Sequence, residues 1–178
     1  LGGNHLIVGP PGSGKTNLLL LRAEYLYLSK KNNIALVVFT KALHNFISAG
    51  GKQYGFPIEK LRTLIAWELE VLAQHGKKFV LDKALDFAET RRQLATAVAE
   101  LVEKRKLMNS YDAILLDEAQ DYDPIEIEAF ARLGESLYAV ADARQKIYAG
   151  EDSLDILKAK ISNVHELRYH YRNGKEIC

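Results

Sequence analysis

Gly9-Pro10-Pro11-Gly12-Ser13-Gly14-Lys15-Thr16 decides how this sequence is read. The stretch fits G-x-x-x-x-G-K-[ST], a loop that requires a strand before it and a helix after it. Both are predicted. Residues 5–8 form a short apolar run ending at Gly9, and residues 15–28 carry several leucines with no helix breaker. Glycines let the backbone turn tightly enough for N–H groups to face phosphate oxygens, and the positive end of the following helix faces the same anion. In such a loop Gly9, Pro10, Pro11, Gly12, Ser13 and Gly14 form the cradle, Lys15 reaches the β- and γ-phosphates, and the Thr16 hydroxyl holds Mg²⁺.

Outward from the loop, residues 34–39 are an unbroken apolar run rich in β-formers, which predicts a strand buried on both faces. A helix is expected over 41–49, a short strand over 61–64 and a helix over about 65–74. Between 82 and 106, Leu94, Val98, Leu101 and Val102 share one helical face, giving one or two amphipathic helices. Residues 113–116 and 137–141 read as further strands, with Pro124 opening a helix through 133. The alternation predicts an α/β fold with a parallel sheet flanked by helices, whose ligands gather at the carboxyl ends of the strands. Without repeat, linker or low-complexity stretch, residues 1–178 read as a single domain.

Composition excludes several function classes. Of 178 residues 48% are hydrophobic and 26% charged, which suits a full core. With 24 Lys+Arg against 23 Asp+Glu, the total charge offers no attraction to nucleic acid or anionic lipid, so any such partner must be read locally. No apolar run approaches the roughly 20 residues of a membrane span. Cys178 alone excludes a disulfide framework and suits a reducing, cytoplasmic setting. His5, His44, His75, His165 and His170 lack metal-ligand spacing. The chain starts at Leu1 and reads as trimmed at both ends.

Leu115-Leu116-Asp117-Glu118-Ala119-Gln120-Asp121 supplies what a phosphate loop needs in addition. Asp117 at the end of a buried strand completes the Mg²⁺ environment, and Glu118 polarises the attacking water as general base. No Asn-Lys-x-Asp guanine pattern follows, so ATP is the expected nucleotide.

At this point the chain resembles the first motor domain of superfamily 1 helicases, the UvrD, Rep and PcrA group. Residues 140–148 are similar to that family's third motif, with Ala141 in place of a glycine, and 167–173 to its fourth, with His170 in place of an asparagine. Residues 39–42 resemble the motif after the second strand, and Thr63 with Trp67 the next. The resemblance implies a RecA-like P-loop NTPase that uses ATP and Mg²⁺, moves on single-stranded DNA and works against a second RecA-like domain. It implies that Gln145 senses the γ-phosphate or its water, that Tyr171 stacks on adenine, and that Arg172 stabilises transition-state charge. Phe39, Lys41, Thr63 and Tyr148 become the DNA-contacting set by stacking and phosphate contact. Read from residues alone, Phe39 equally suits the end of a buried strand.

Departures from the pattern carry expectations too. Lys15 and Asp117 are close in sequence for this family, so its inserted DNA-binding subdomain is expected to be missing or reduced to helices at about 66–108. The basic clusters there, Lys77-Lys78, Arg91-Arg92 and Lys104-Arg105-Lys106, read as solvated faces. Gly150 stands where the family places a tryptophan against DNA. The second motor domain is expected outside the chain, leaving 1–178 a weak nucleotide binder and slow hydrolase by itself. Two rivals stand beside the motor: an ATPase that remodels protein or senses nucleic acid without unwinding, and a non-catalytic nucleotide-binding module.

Overall fold

The structure, a computed structural model, describes residues 3–50, 55–82, 84–142 and 153–168. Strand β1 (His5–Gly9) leads into α1 (Lys15–Leu28), β2 (Ile34–Val38) into α2 (Lys41–Gly50), and β3 (Leu61–Thr63) into α3 (Leu64–Gln74). Then follow α4 (Phe87–Arg105), β4 (Ala113–Leu116), α5 (Pro124–Leu133), β5 (Leu137–Asp142), α6 (Ser153–Lys160) and β6 (Asn163–Glu166). The six strands form one parallel sheet in the order β3-β2-β4-β5-β1-β6.

The unbroken apolar runs exist because both sheet faces are covered. Ile34, Leu36 and Val38 of β2, with Ala113 and Leu115 of β4, pack on Leu19, Leu20, Ala23 and Leu26 of α1. The alternate residues Ala35, Val37, Ile114 and Leu116 pack on the other face with Trp67, Leu94, Val98, Leu101 and Phe130. Residues 87–105 form one helix: Asp86 caps it by accepting from Glu89 N–H at 2.8 Å, and Lys106 ends it in a left-handed conformation. Pro124 opens α5, and Glu126 reaches back to accept from Asp123 N–H at 2.8 Å.

Two elements had no sequence signal. β6 is exposed along all four residues, so it lacks the apolar alternation of a core strand, and its order comes from pairing with β1. Helix α6 buries only Leu157, too little for an amphipathic stripe to be visible.

Trp67 and Glu68 of α3 are both 1% exposed, and Glu68 Oε2 has no hydrogen-bond partner among the described residues. Burial first, then the nearby Glu126, pushes the Glu68 carboxyl up to about 9 from an ordinary value of 4.5. The fold therefore holds a proton that the unfolded chain releases. This carboxyl's contribution is complete at acidic pH and is lost as pH rises from the ordinary value through about 9. Glu68→Gln is neutral at every pH. In urea melts its stability should match the parent near the acidic end and exceed it progressively on alkalinisation, by up to about 1 kcal/mol per pH unit. A difference independent of pH would mean that Glu68 is ionised in the fold.

Candidate nucleotide site

The site lies at the carboxyl edge of the sheet, where Gly9 at the end of β1 is in register with Asp142 at the end of β5. The chain enters α1 through Gly14, whose φ of +86° is a left-handed conformation that an L side chain would strain. The first bond of the helix runs from Leu18 N–H to the Gly14 carbonyl at 3.1 Å, so its positive end opens onto the loop. Lys15 is buried, and its Nζ donates to the carbonyls of Gly9 at 2.8 Å and Pro10 at 2.9 Å. Ser13 Oγ is buried with no partner among the described residues. A Cβ on Gly9 would lie 2.9 Å from Leu167 Cβ and from Ser13 Oγ. That crowding arises because Leu167 N–H donates to the Val8 carbonyl at 2.8 Å, continuing the β6 pairing up to the loop.

Asp117 follows β4, and its N–H donates to the Val37 carbonyl at 3.1 Å, which anchors it to β2. It is 1% exposed; Oδ1 accepts from Glu118 N–H at 3.0 Å, and Oδ2 has no partner among the described residues. Burial, with the neighbouring Glu118 charge adding to it, raises this carboxyl to about 6, against the opposing pull of the Thr16 hydroxyl and Lys15 ammonium. The sheet has thus brought Lys15, Thr16 and Asp117 into electrostatic range of one another.

Glu118 adopts φ +49°, a left-handed conformation uncommon outside glycine. Its Oε2 accepts from Gln120 Nε2 at 2.8 Å, and Gln120 Oε1 accepts from Asp142 N–H at 2.9 Å. Gln120, which the sequence reading did not single out, therefore ties the Glu118 carboxylate to the tip of β5. Its signal was the amide itself, able to donate and accept at once, two residues beyond the acid.

The donors suit Mg²⁺. They are hard oxygens, the Thr16 hydroxyl and a buried Asp117 oxygen that lacks a hydrogen-bond partner among the described residues. Among the described residues no group of three or more His, Cys, Asp or Glu could hold a metal.

The DNA-contacting set divides. Phe39, just past β2, is half-buried, with its ring edge-on to Tyr122 at 5.9 Å and Phe87 at 6.4 Å. Lys41 is exposed at the start of α2, and Thr63 caps α3 by accepting from Ala66 N–H at 3.4 Å. Both sit at the carboxyl ends of the adjacent strands β2 and β3, on the same edge as the loop. Gln145, Tyr148, Gly150, Tyr171 and Arg172 lie outside the described residues. Among the basic clusters, Lys104, Arg105 and Lys106 are exposed, and Arg92 pairs with Glu89 on the surface. Arg91 departs from the solvated-face expectation, because its guanidinium is turned inward onto Glu126.

A parallel sheet carrying a glycine loop, a buried lysine and a strand-end Asp-Glu pair on one edge defines a P-loop, helicase-like ATPase domain. A family described as AAA domain matches residues 2–151, and the chain belongs to it. This is the type found in UvrD/Rep superfamily 1 helicases, so the domain is of the superfamily 1 motor kind. Among solved structures, the helicase domain of Hef from Pyrococcus furiosus is similar in fold, with a TM-score of 0.54 at 20% identity over 93% of this chain. The chain spans 35% of the length of that structure. No curated protein matches it. Among the described residues no helix is long and apolar enough to cross a membrane.

Proposed function

We propose that this domain binds ATP with Mg²⁺ and hydrolyses it to drive movement on single-stranded DNA, as half of a cleft completed by a second RecA-like domain. The observation that carries the proposal is the pairing of a buried Lys15, held on the carbonyls of its own loop, with a buried Asp117 whose Oδ2 has no hydrogen-bond partner among the described residues. Each is a buried polar group whose needs a phosphate and its cation would meet.

The Lys15 ammonium exchanges two loop carbonyls for phosphate oxygens, and the loop N–H groups and the α1 dipole add to the same field. Thr16 and Asp117 would hold a Mg²⁺ ion, which when bound would supply neutralising charge to the phosphates. Glu118 orients the attacking water and accepts its proton, its carboxylate held by Gln120. Gln145 relays the γ-phosphate state, Tyr171 stacks on adenine, and Arg172 stabilises charge in the transition state. Lys41 and Thr63 contact DNA phosphates, while Phe39 is half-buried with its ring against Tyr122 and Phe87. That packing favours a second reading, an ATPase that senses nucleic acid or remodels protein without unwinding.

Hydrolysis by the chain at its full natural length, with and without single-stranded DNA, separates the readings. Strong stimulation by DNA supports the motor. Hydrolysis indifferent to DNA favours the second reading, and no hydrolysis leaves a nucleotide-binding module.

A further inference from the structure

Arg91, on α4, is built into the fold rather than solvated. Its Nε and Nη2 form a fork on Glu126 at 2.7 and 2.6 Å, and Nη2 also donates to the backbone carbonyl of Asp121 at 2.7 Å. The guanidinium lies 4.8 Å from the centre of the Phe39 ring, and Asp123 Oδ2 is 3.7 Å from Nη2. One planar cation therefore joins α4, the first turn of α5, the end of β2 and the turn that bears Glu118.

That turn is short. Asp121 N–H donates to the Glu118 carbonyl at 2.9 Å, closing a single 3₁₀ turn over residues 119–121. Glu118 enters it at φ +49°, a left-handed conformation uncommon outside glycine. Besides the bond from Glu118 N–H to Asp117 Oδ1, two further side chains support the turn. Gln120 ties the side to Asp142, and Arg91 ties the far end through the Asp121 carbonyl. None of the bonds of Arg91 reaches the glycine loop.

We infer that Arg91 is a positioning residue for hydrolysis: by clamping the Asp121 carbonyl it fixes the turn that aims Glu118, without touching nucleotide. The inference rests on the ATPase reading. The same guanidinium covers Phe39, next to the exposed Thr40 and Lys41, so the end of β2 and the Glu118 turn share one clamp. A lysine in its place keeps the charge and loses the fork, which makes Arg91→Lys informative beside Arg91→Met.

The test uses the full natural chain with Arg91→Met, Arg91→Lys and, as control, Arg92→Met, whose parent side chain pairs with Glu89 on the surface. Amide hydrogen exchange over residues 118–122 is read without nucleotide, and kcat and nucleotide affinity with it. Arg91→Met should speed exchange in that turn while β4 and β5 keep their protection. It should lower kcat roughly 10- to 100-fold, since small misplacements of a catalytic group carry costs of that size. Nucleotide affinity should stay within about twofold, marking an interaction that matters only after binding. Arg91→Lys should fall between, and Arg92→Met should match the parent. Unchanged exchange at 118–122 in a folded variant overturns the inference, as does a kcat loss that merely tracks the folded fraction. If Arg91→Met leaves Glu126 unpaired and does not fold, Arg91→Met with Glu126→Gln removes the stranded charge and decides. A parent chain without hydrolysis sinks the ATPase reading, and the exchange measurement then decides the clamp alone.

Discussion

Lys15→Ala should abolish hydrolysis, lowering the rate by roughly 10²–10³ or more, the scale seen when one preorganised charge or donor is removed from a developing oxyanion. Lys15 is 7% exposed and is the donor to both Gly9 and Pro10 carbonyls. Its removal leaves those two loop carbonyls without their cation as well as the phosphate. Each buried acceptor left unsatisfied costs about 1–3 kcal/mol, less where water enters the vacated space. The loss should therefore appear in two measurements. Fluorescent-nucleotide titration should show weakened binding, and thermal melts without ligand should show a modest drop in Tm. A variant that melts earlier yet binds and hydrolyses normally would mean that Lys15 is only a strut for the loop.

Asp117→Asn should move stability and activity in opposite directions. With burial as the first cause, the Asp117 carboxyl is raised from 3.8 to about 6, so at neutral pH the ligand-free fold carries an ionised group it would prefer protonated. A carboxyl raised in this way contributes most below its ordinary value, and that contribution drains as pH climbs through about 6. Asparagine does not ionise, keeps an acceptor for the Glu118 N–H, and can donate towards the Thr16 hydroxyl. At pH 7.5 without Mg²⁺ the variant should be more stable by about 2–3 kcal/mol at most, the value of a shift of this size. The gain should vanish towards pH 4, where the parent carboxyl is neutral too, and urea melts at several pH values read it directly. Activity should fall at least 10²-fold if Asp117 serves as the proposed charged ligand of Mg²⁺. The parent should show the matching signature, with Mg²⁺-dependent nucleotide affinity declining as pH falls through about 6. Destabilisation of Asp117→Asn at neutral pH would show that Oδ2 holds its charge against a partner in the ligand-free protein.

Much of the fold was legible because its signals are local. The glycine loop, the helix over Lys15–Leu28 and the buried strands β2 and β4 each follow from a short pattern, and the parallel sheet from their alternation. Asp117 and Glu118 stood out because adjacent acids at the end of an apolar run need a reason. Gln120 and Arg91 did not, since each works through partners distant in sequence: Asp142 for the first, Asp121 and Glu126 for the second. Phe39 shows the same limit from the other side, because nothing local to an aromatic at a strand end tells that its ring packs against Tyr122 and Phe87.

What the sequence by itself determined is which side chains are on offer: a glycine loop that turns through the left-handed Gly14, a lysine at the head of a helix, and an Asp-Glu pair at the end of a buried strand. What only the tertiary structure decided is which of these groups meet and in what charge state. The order β4-β5-β1 sets Asp117 and Gly9 on one edge with Asp142 between their strands. Burial there raises the Asp117 carboxyl, and packing of α4 against α5 turns Arg91 inward onto Glu126 and the Asp121 carbonyl. Desolvation is the physical reason. It depends on everything packed around a group, and no short stretch of sequence contains that information.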